Sequence, residues 1–430
     1  MKFKEGWPPR HLKDLPKSAW LNLTIFVILF YLLVYIGQPL LDGGWCLLND
    51  YLGYYSAGQI MNTETPSAVY DFNMLEDYQT DLHRICGEDS PDTEVISMVY
   101  LPVFFLPFRI LALLNFPISV IIWLILNLTL LILYLNFFTK KVFGEKLPFQ
   151  AFALILISIP VFKNFITGQV NIWLLIGMGE FIRALVSDKP YRAGLWLGVI
   201  LVKPQLLILI LPFLLIQKQY KVLGGFAISS AIVIGFSLIL VGWDGMIGFK
   251  DIIFESAQGG ATSHYDLMMN WRAVGYYISK WVGPTAGASI EIGGSVLTAA
   301  LPLIAFRKTM SVKSPKFGVA LLAVLAATSV VTYHAHTHTA MILIPILLYL
   351  LLNGTMAQKI FNIWFLAPSV FNFIQFLVGA MVVLSVLPFG FAYFVNFSNG
   401  LVIFVLNLIL LGWALSQRRM GEDALSPIIP

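Results

Sequence analysis

Charge is what this chain has least of. Asp, Glu, Lys and Arg make up 12% of its 430 residues, against roughly 25% in ordinary soluble domains. A soluble globular enzyme is excluded on that ground. Cysteine is almost missing too: Cys46 and Cys86 are the whole supply, so no disulfide-dense scaffold is present. Both lie between the first two apolar runs; in an oxidising compartment they pair, and otherwise they are two thiols. No repeat of solenoid period, no low-complexity linker and no nucleotide-phosphate fingerprint occurs. The net charge of +4 is spread over short clusters between apolar runs, which gives no footing for nucleic acid.

What fills the chain is hydrophobic sequence, 58% of it. Apolar runs of about 20 residues recur, each able to cross a hydrocarbon core of about 30 Å. The fold class is an all-α polytopic membrane protein built as a single integral domain over 1–430. The first run, 20–38, lacks a small-residue cleavage site and reads as a retained span. Residues 1–19 carry Lys2, Lys4, Arg10, Lys13 and Lys17 against Glu5 and Asp14, which places the N-terminus in the cytoplasm.

The segment 97–113 is apolar but short, and Pro102 and Pro107 interrupt it; it either spans or lies along the outer surface. With 97–113 at the interface, and 193–202 and 205–216 as two short passes meeting at Lys203-Pro204, about twelve crossings result. Then 20 of the 27 Lys and Arg residues are cytoplasmic, including the C-terminal 417–430, and 16 of the 23 acids are outside. Passes of about ten residues are tolerated only inside a bundle around a wet cavity. The outer segments are an acidic first loop, 41–97, and a second loop, 243–289. The first loop holds eleven of the 23 acids and one base, Arg84.

Several polar residues stand out against this background. Asp50 follows the first span and is flanked by Tyr51, Tyr54 and Tyr55; a carboxylate so placed can take a proton from a hydroxyl. Lys203 interrupts an apolar run, and a cation at membrane depth usually faces the bundle interior, where it holds a phosphate, or else snorkels to the interface. Thr167-Gly168-Gln169-Val170-Asn171 is a polar turn whose amides suit sugar hydroxyls, or an ordinary interhelical turn. His334, His336 and His338 put half of the six histidines in one rim. They suit phosphate or proton handling; a divalent metal or a helix-start cap are the rival readings. Asn270-Trp271-Arg272 joins an aromatic to a planar phosphate-binding group, or anchors the interface.

Taken in order, these residues resemble the polyprenyl-phosphate-dependent mannosyltransferases of the phosphatidylinositol-mannoside type, which have a GT-C fold. The resemblance rests on Asp50 with Tyr54-Tyr55-Ser56-Ala57-Gly58, Val69-Tyr70-Asp71, Tyr100-Leu101-Pro102, Gly168-Gln169-Val170-Asn171, Lys203-Pro204-Gln205, Asn270-Trp271-Arg272 and the His334–His338 cluster. It covers roughly residues 20 to 353. It implies an inverting transfer of a sugar, mannose by default, from a polyprenyl-phosphate donor to a lipid or envelope-glycan acceptor outside the plasma membrane. No cofactor is required. Asp50 becomes the general base, and His338 or His336 the family's late histidine. Lys203, Arg272 and His334 hold the donor phosphate. Tyr54, Tyr55, Gln169, Asn171, Gln205, Asn270 and Trp271 line the sugar and acceptor sites. In this fold a juxtamembrane helix follows the acidic loop, which agrees with an interfacial 97–113. The chain departs from the pattern at Pro102, where relatives often carry Tyr-Pro-Pro, and in its dense histidine cluster. The alternatives are a lipid or solute transporter, which calls for an inverted repeat, and a scaffold subunit, which needs none of these residues.

Overall fold

The computed structural model describes residues 17–33, 49–85, 95–258, 265–388 and 399–419. Cys46 and Cys86 lie outside the described residues. The first-loop segment is largely helical where described: α2 (Asn49–Thr63), a 3-10 turn at Pro66–Tyr70, and α3 (Phe72–Ile85) follow the first apolar helix α1 (Lys17–Leu32). A 3-10 turn at Pro102–Phe105 then leads into α4 (Leu106–Leu111). These ten residues reach about 15–20 Å, well short of a bilayer core.

The helix α5 (Phe116–Phe143) is 28 residues long, or about 42 Å. Asn115 caps its first turn by accepting from the Ile118 N–H, and Gly144 closes it in the left-handed region at φ 78°. Its outer residues Ile121, Ile125 and Leu133 are exposed, the pattern of a lipid-facing helix. The run 149–166 is broken into α6 (Phe149–Leu156) and α7 (Ile159–Ile166), bent by 53°. Pro160 contributes no N–H and forces the break. The Ile157 carbonyl at the bend instead accepts from Tyr31 Oη at 3.1 Å and Ser369 Oγ at 3.2 Å. One freed backbone group thus ties α1 and a late helix to the bend, as a membrane interior requires.

Next come α8 (Asn171–Val186) and α9 (Pro190–Leu197), whose continuation is a 3-10 turn ending at Val202. Lys203 stands in the break, Pro204 opens another 3-10 turn, and α10 (Ile210–Ile216) completes the pair. Two short apolar pieces do meet at Lys203-Pro204, and each is below the length of a membrane span. The helix α11 (Tyr220–Gln258) is 39 residues long with a kink at Gly242, φ 69° and ψ −173°, a conformation open to glycine and strained for other residues. Much of 243–289 is therefore helical: the far arm of α11, then α12 (Trp271–Val282) and the start of α13 (Pro284–Ala305).

The chain continues with α14 (Pro315–Val331), a 3-10 segment Thr337–Leu343, α15 (Ile344–Leu352), α16 (Gln358–Val383) and α17 (Asn399–Ser416). The core lies around α14 and α15, whose residues are nearly all buried. Asn407 fastens three helices there: its Nδ2 donates to Ser329 Oγ at 3.0 Å, and its Oδ1 accepts from Trp364 Nε1 at 3.0 Å. Among the described residues, four helices are long and apolar enough to cross a membrane, or five when the bent pair α6–α7 counts as one span. Among the described residues the architecture is all-helical, with several helices suited to a membrane.

Candidate active site

Asp50 lies in the first turn of α2, where the positive end of the helix favours a carboxylate. The helix start is pinned to the turn between α7 and α8. The Tyr51 N–H donates to the Thr167 carbonyl at 3.1 Å, and Trp123 Nε1 donates to the Gly168 carbonyl at 2.8 Å. Gly168 has φ +71°, and a Cβ there would sit 2.5 Å from Tyr51 Cβ. Only glycine supplies both the left-handed turn and the space. The sequence Thr167-Gly168-Gln169 is therefore folded directly against Asp50, 117 residues or more away in the chain.

Asp50 itself is half-buried. Burial raises its carboxyl above the ordinary carboxylate range, while hydrogen bonds from Gln169 and Thr167 and the charge of Lys203 oppose that rise. A carboxylate made more basic, yet still held by donors, suits proton abstraction near neutral pH.

Lys203 is the hub of the cluster. It is 5% exposed, and its charge acts on Asp50, His334 and His338 alike. The histidines follow one another at ring separations of 4.7 Å for His334–His336 and 5.7 Å for His336–His338. An extended stretch holds the first two, where the Met269 N–H donates to the Ala335 carbonyl at 2.8 Å and Met268 bridges His336, and the 3-10 segment carries His338. Gln205 Nε2 reaches the His334 carbonyl at 3.4 Å. Burial, with the charges of Lys203 and Arg272, pushes the His334 imidazole down to about 4. His334 is therefore neutral at physiological pH, and its buried Nδ1 lacks a hydrogen-bond partner within the protein. Among the described residues, no three His, Cys, Asp or Glu side chains are arranged to hold a metal ion.

Other residues singled out in the sequence fall at the margin of this cluster or away from it. Tyr54 is one turn after Asp50 on the same face and bonds to Tyr100 and Gln169. Tyr55 points elsewhere: it donates to the Leu114 carbonyl at 2.7 Å and packs edge-on against Phe116, tethering the segment after α4. Asn171 donates from its backbone and side chain to Asn164 Oδ1 and is fully buried. Asn270 caps α12, accepting from the Ala273 N–H at 3.1 Å and donating to the Thr332 carbonyl at 2.8 Å. Trp271 donates to Thr298 Oγ1 at 2.9 Å and packs against Phe404. Arg272 lies 3.5 Å from Glu291, donates to the Tyr333 carbonyl and covers the Tyr265 ring.

Two further residues join the cluster, Thr167 from the polar turn singled out in the sequence and Lys163, to which sequence reasoning assigns no role. Thr167 binds Asp50, and Lys163 acts on His338. Both stand on one face at helical spacing of four, the signal that would have found Lys163 once Thr167 was assigned.

The cluster joins a basic carboxylate to a cation and neutral imidazoles, the groups needed to deprotonate a hydroxyl and to receive a departing anion. Residues 99–354 match the sequence model of glycosyltransferase family 87. No curated protein and no solved structure matches the chain. That match spans more than half of the sequence and contains Gln169, Lys203 and the histidine cluster, and the protein is accordingly a membrane glycosyltransferase that belongs to glycosyltransferase family 87.

Proposed function

We propose that this glycosyltransferase moves a sugar, with mannose as the first choice, from a polyprenyl-phosphate donor to a lipid or envelope-glycan acceptor on the outer face of the plasma membrane, through a bundle of about twelve crossings. The observation that carries the reading is the meeting of Asp50 with Gln169, Thr167 and Lys203. An acceptor hydroxyl gives its proton to Asp50. Its oxygen attacks the anomeric carbon as the bond to the phosphate oxygen breaks on the opposite side, so a single displacement inverts the centre. The departing polyprenyl phosphate gains negative charge, and Lys203 receives it. Arg272 and the imidazoles of His338, His336 and His334 complete the phosphate site. Gln205 positions the His334 backbone.

A donor anchored by its tail in the bilayer fits a site bounded by short, broken helices, and the outer placement follows from the charge bias of the loops. Membership of a glycosyltransferase family argues against the transporter and scaffold readings. The test is transfer of radiolabelled sugar from a polyprenyl phosphate by the purified protein. Asp50→Asn is expected to abolish transfer while the protein remains folded by size-exclusion profile and thermal midpoint. Full turnover by Asp50→Asn would end the assignment of the base, and transfer from a nucleotide sugar alone would end that of the donor.

A further inference from the structure

Tyr54, Tyr100 and Gln169 are 2%, 7% and 4% exposed. They are too enclosed to offer a sugar much surface, yet all three converge on Asp50. Tyr54 Oη lies 2.7 Å from Tyr100 Oη and 3.0 Å from Gln169 Oε1, within donating reach of both, and Tyr100 also bonds the Gln169 side chain. Gln169 in turn bonds the Asp50 carboxyl. The Tyr100 backbone is itself held, because Tyr70 Oη donates to the Tyr100 carbonyl at 2.6 Å.

A glutamine amide has two unlike ends. Only the NH₂ end favours a carboxylate, and the carbonyl end would repel it. What decides the orientation is the partner at the far end. A phenol carries one proton. With the Tyr54 proton on Gln169 Oε1, the proton between the two phenols belongs to Tyr100. The donors then run in one direction, from Tyr100 through Tyr54 and Gln169 to Asp50, and bonds in such a chain strengthen one another.

We propose that Gln169 is a positioning residue for the Asp50 carboxylate, and that the Tyr54–Tyr100 phenol pair fixes which end of its amide faces that carboxylate. The expected effect on transfer rests on Asp50 being the base; the geometric claim does not.

The test uses full-length protein in lipid nanodiscs. Carbodiimide modifies protonated buried carboxyls, so labelling of Asp50, followed across pH by peptide mass spectrometry, gives its titration midpoint without any activity assay. Lys203, Tyr54 and Tyr100 are the titratable groups that share charge interactions with Asp50, and Lys203 is kept in every variant. Gln169→Leu is expected to raise the midpoint by about one unit, the scale of one hydrogen bond to a charged group. Tyr54→Phe moves it the same way, and Tyr100→Phe less. Because Tyr54 acts through Gln169, the Tyr54→Phe/Gln169→Leu double variant matches Gln169→Leu alone. The acid limb of the rate–pH profile moves with the midpoint.

Independent addition of the two shifts, or no shift in either single variant, overturns the proposal. Should Gln169→Leu not fold, Tyr54→Phe and Tyr100→Phe preserve ring volume and decide the matter. Because Tyr100 also bonds Gln169, each phenylalanine variant is then expected to raise the midpoint, and an unshifted midpoint in both overturns the role of the phenol pair. An active Asp50→Asn removes the base assignment while leaving the labelling cycle decisive; an inactive Asp50→Asn with unshifted labelling removes the positioning role alone.

Discussion

Replacing Gly168 by alanine probes how tightly the base is placed. Two costs are legible. The first is conformational: an L-residue at φ +71° carries roughly 1–2 kcal/mol of strain. The second is steric. The new Cβ would lie 2.5 Å from Tyr51 Cβ, where carbon atoms ordinarily rest about 3.5–4.0 Å apart, so something must move by about 1 Å. Tyr51 has little freedom to yield. Its N–H is bonded to the Thr167 carbonyl, its phenol to Ser119, and its ring stacks on Phe116 and Trp123. The motion therefore passes to the start of α2, which carries Asp50. Misplacing a reacting group by about 1 Å costs on the order of 100-fold in rate.

The assay is the initial rate of transfer from a polyprenyl-phosphate sugar, with kcat and KM separated and thermal stability measured in parallel. Gly144→Ala is the control: Gly144 has a similar φ of +78°, with nothing within 4 Å of its Cβ position. It bears the strain without the clash. Gly168→Ala is expected to lose kcat on the order of 100-fold, and Gly144→Ala to lose only stability. A Gly168→Ala enzyme with wild-type kcat and the stability loss of the control would refute the link between this turn and the base.

Three further outcomes are expected. Lys203→Gln removes the buried cation from the leaving phosphate and lowers kcat by about 100- to 1,000-fold; Lys203→Arg does not restore it, because a planar guanidinium replaces a compact ammonium, and steady-state kinetics read both. His334, whose imidazole falls from 6.5 to about 4 on folding, contributes stability that is full above pH 6.5 and declines as pH falls from 6.5 towards 4; His334→Gln is expected to flatten that part of the thermal-midpoint profile. Asn407→Leu cuts two interhelical bonds worth about 1 kcal/mol each or somewhat less, lowering the thermal midpoint while leaving kcat unchanged.

The large-scale architecture was legible because its causes are local. Apolar length marks long helices such as α5, and the breaks fall where Pro160 and Pro204 remove backbone donors. Lys203 was legible because a cation in an apolar run has few structural uses. Asp50 gained its weight from the ordered resemblance to a known family, and the structure adds its contact with Gln169. Where sequence leaves two roles open, the ambiguity has a common source. Asn270 and Trp271 carry groups that bind ligands and equally well cap a helix or bridge two helices. Asn270 opens a helix in the position where asparagine is favoured as a cap, beside an aromatic and an arginine that suit a ligand equally well. Tyr55 adjoins Tyr54 in sequence, but one residue is about 100° of helix, which turns its phenol toward Leu114. Thr167 and Lys163 owe their importance to the bend at Ile157, which sequence marks only by a proline.

The kink at Gly242 leaves α11 with two duties. One part of the helix is apolar enough to sit among acyl chains. Beyond the kink, Gly245 and Gly248 lie against Ser67 and Tyr70, and Tyr70 is bonded to the Tyr100 carbonyl beside the base network. The acidic segment therefore rides on a lever rooted in lipid. Helices answer a thinner or thicker bilayer by tilting, so the host membrane's thickness becomes a variable of the enzyme's own geometry, and a series of nanodiscs of graded acyl length would show it as a graded turnover.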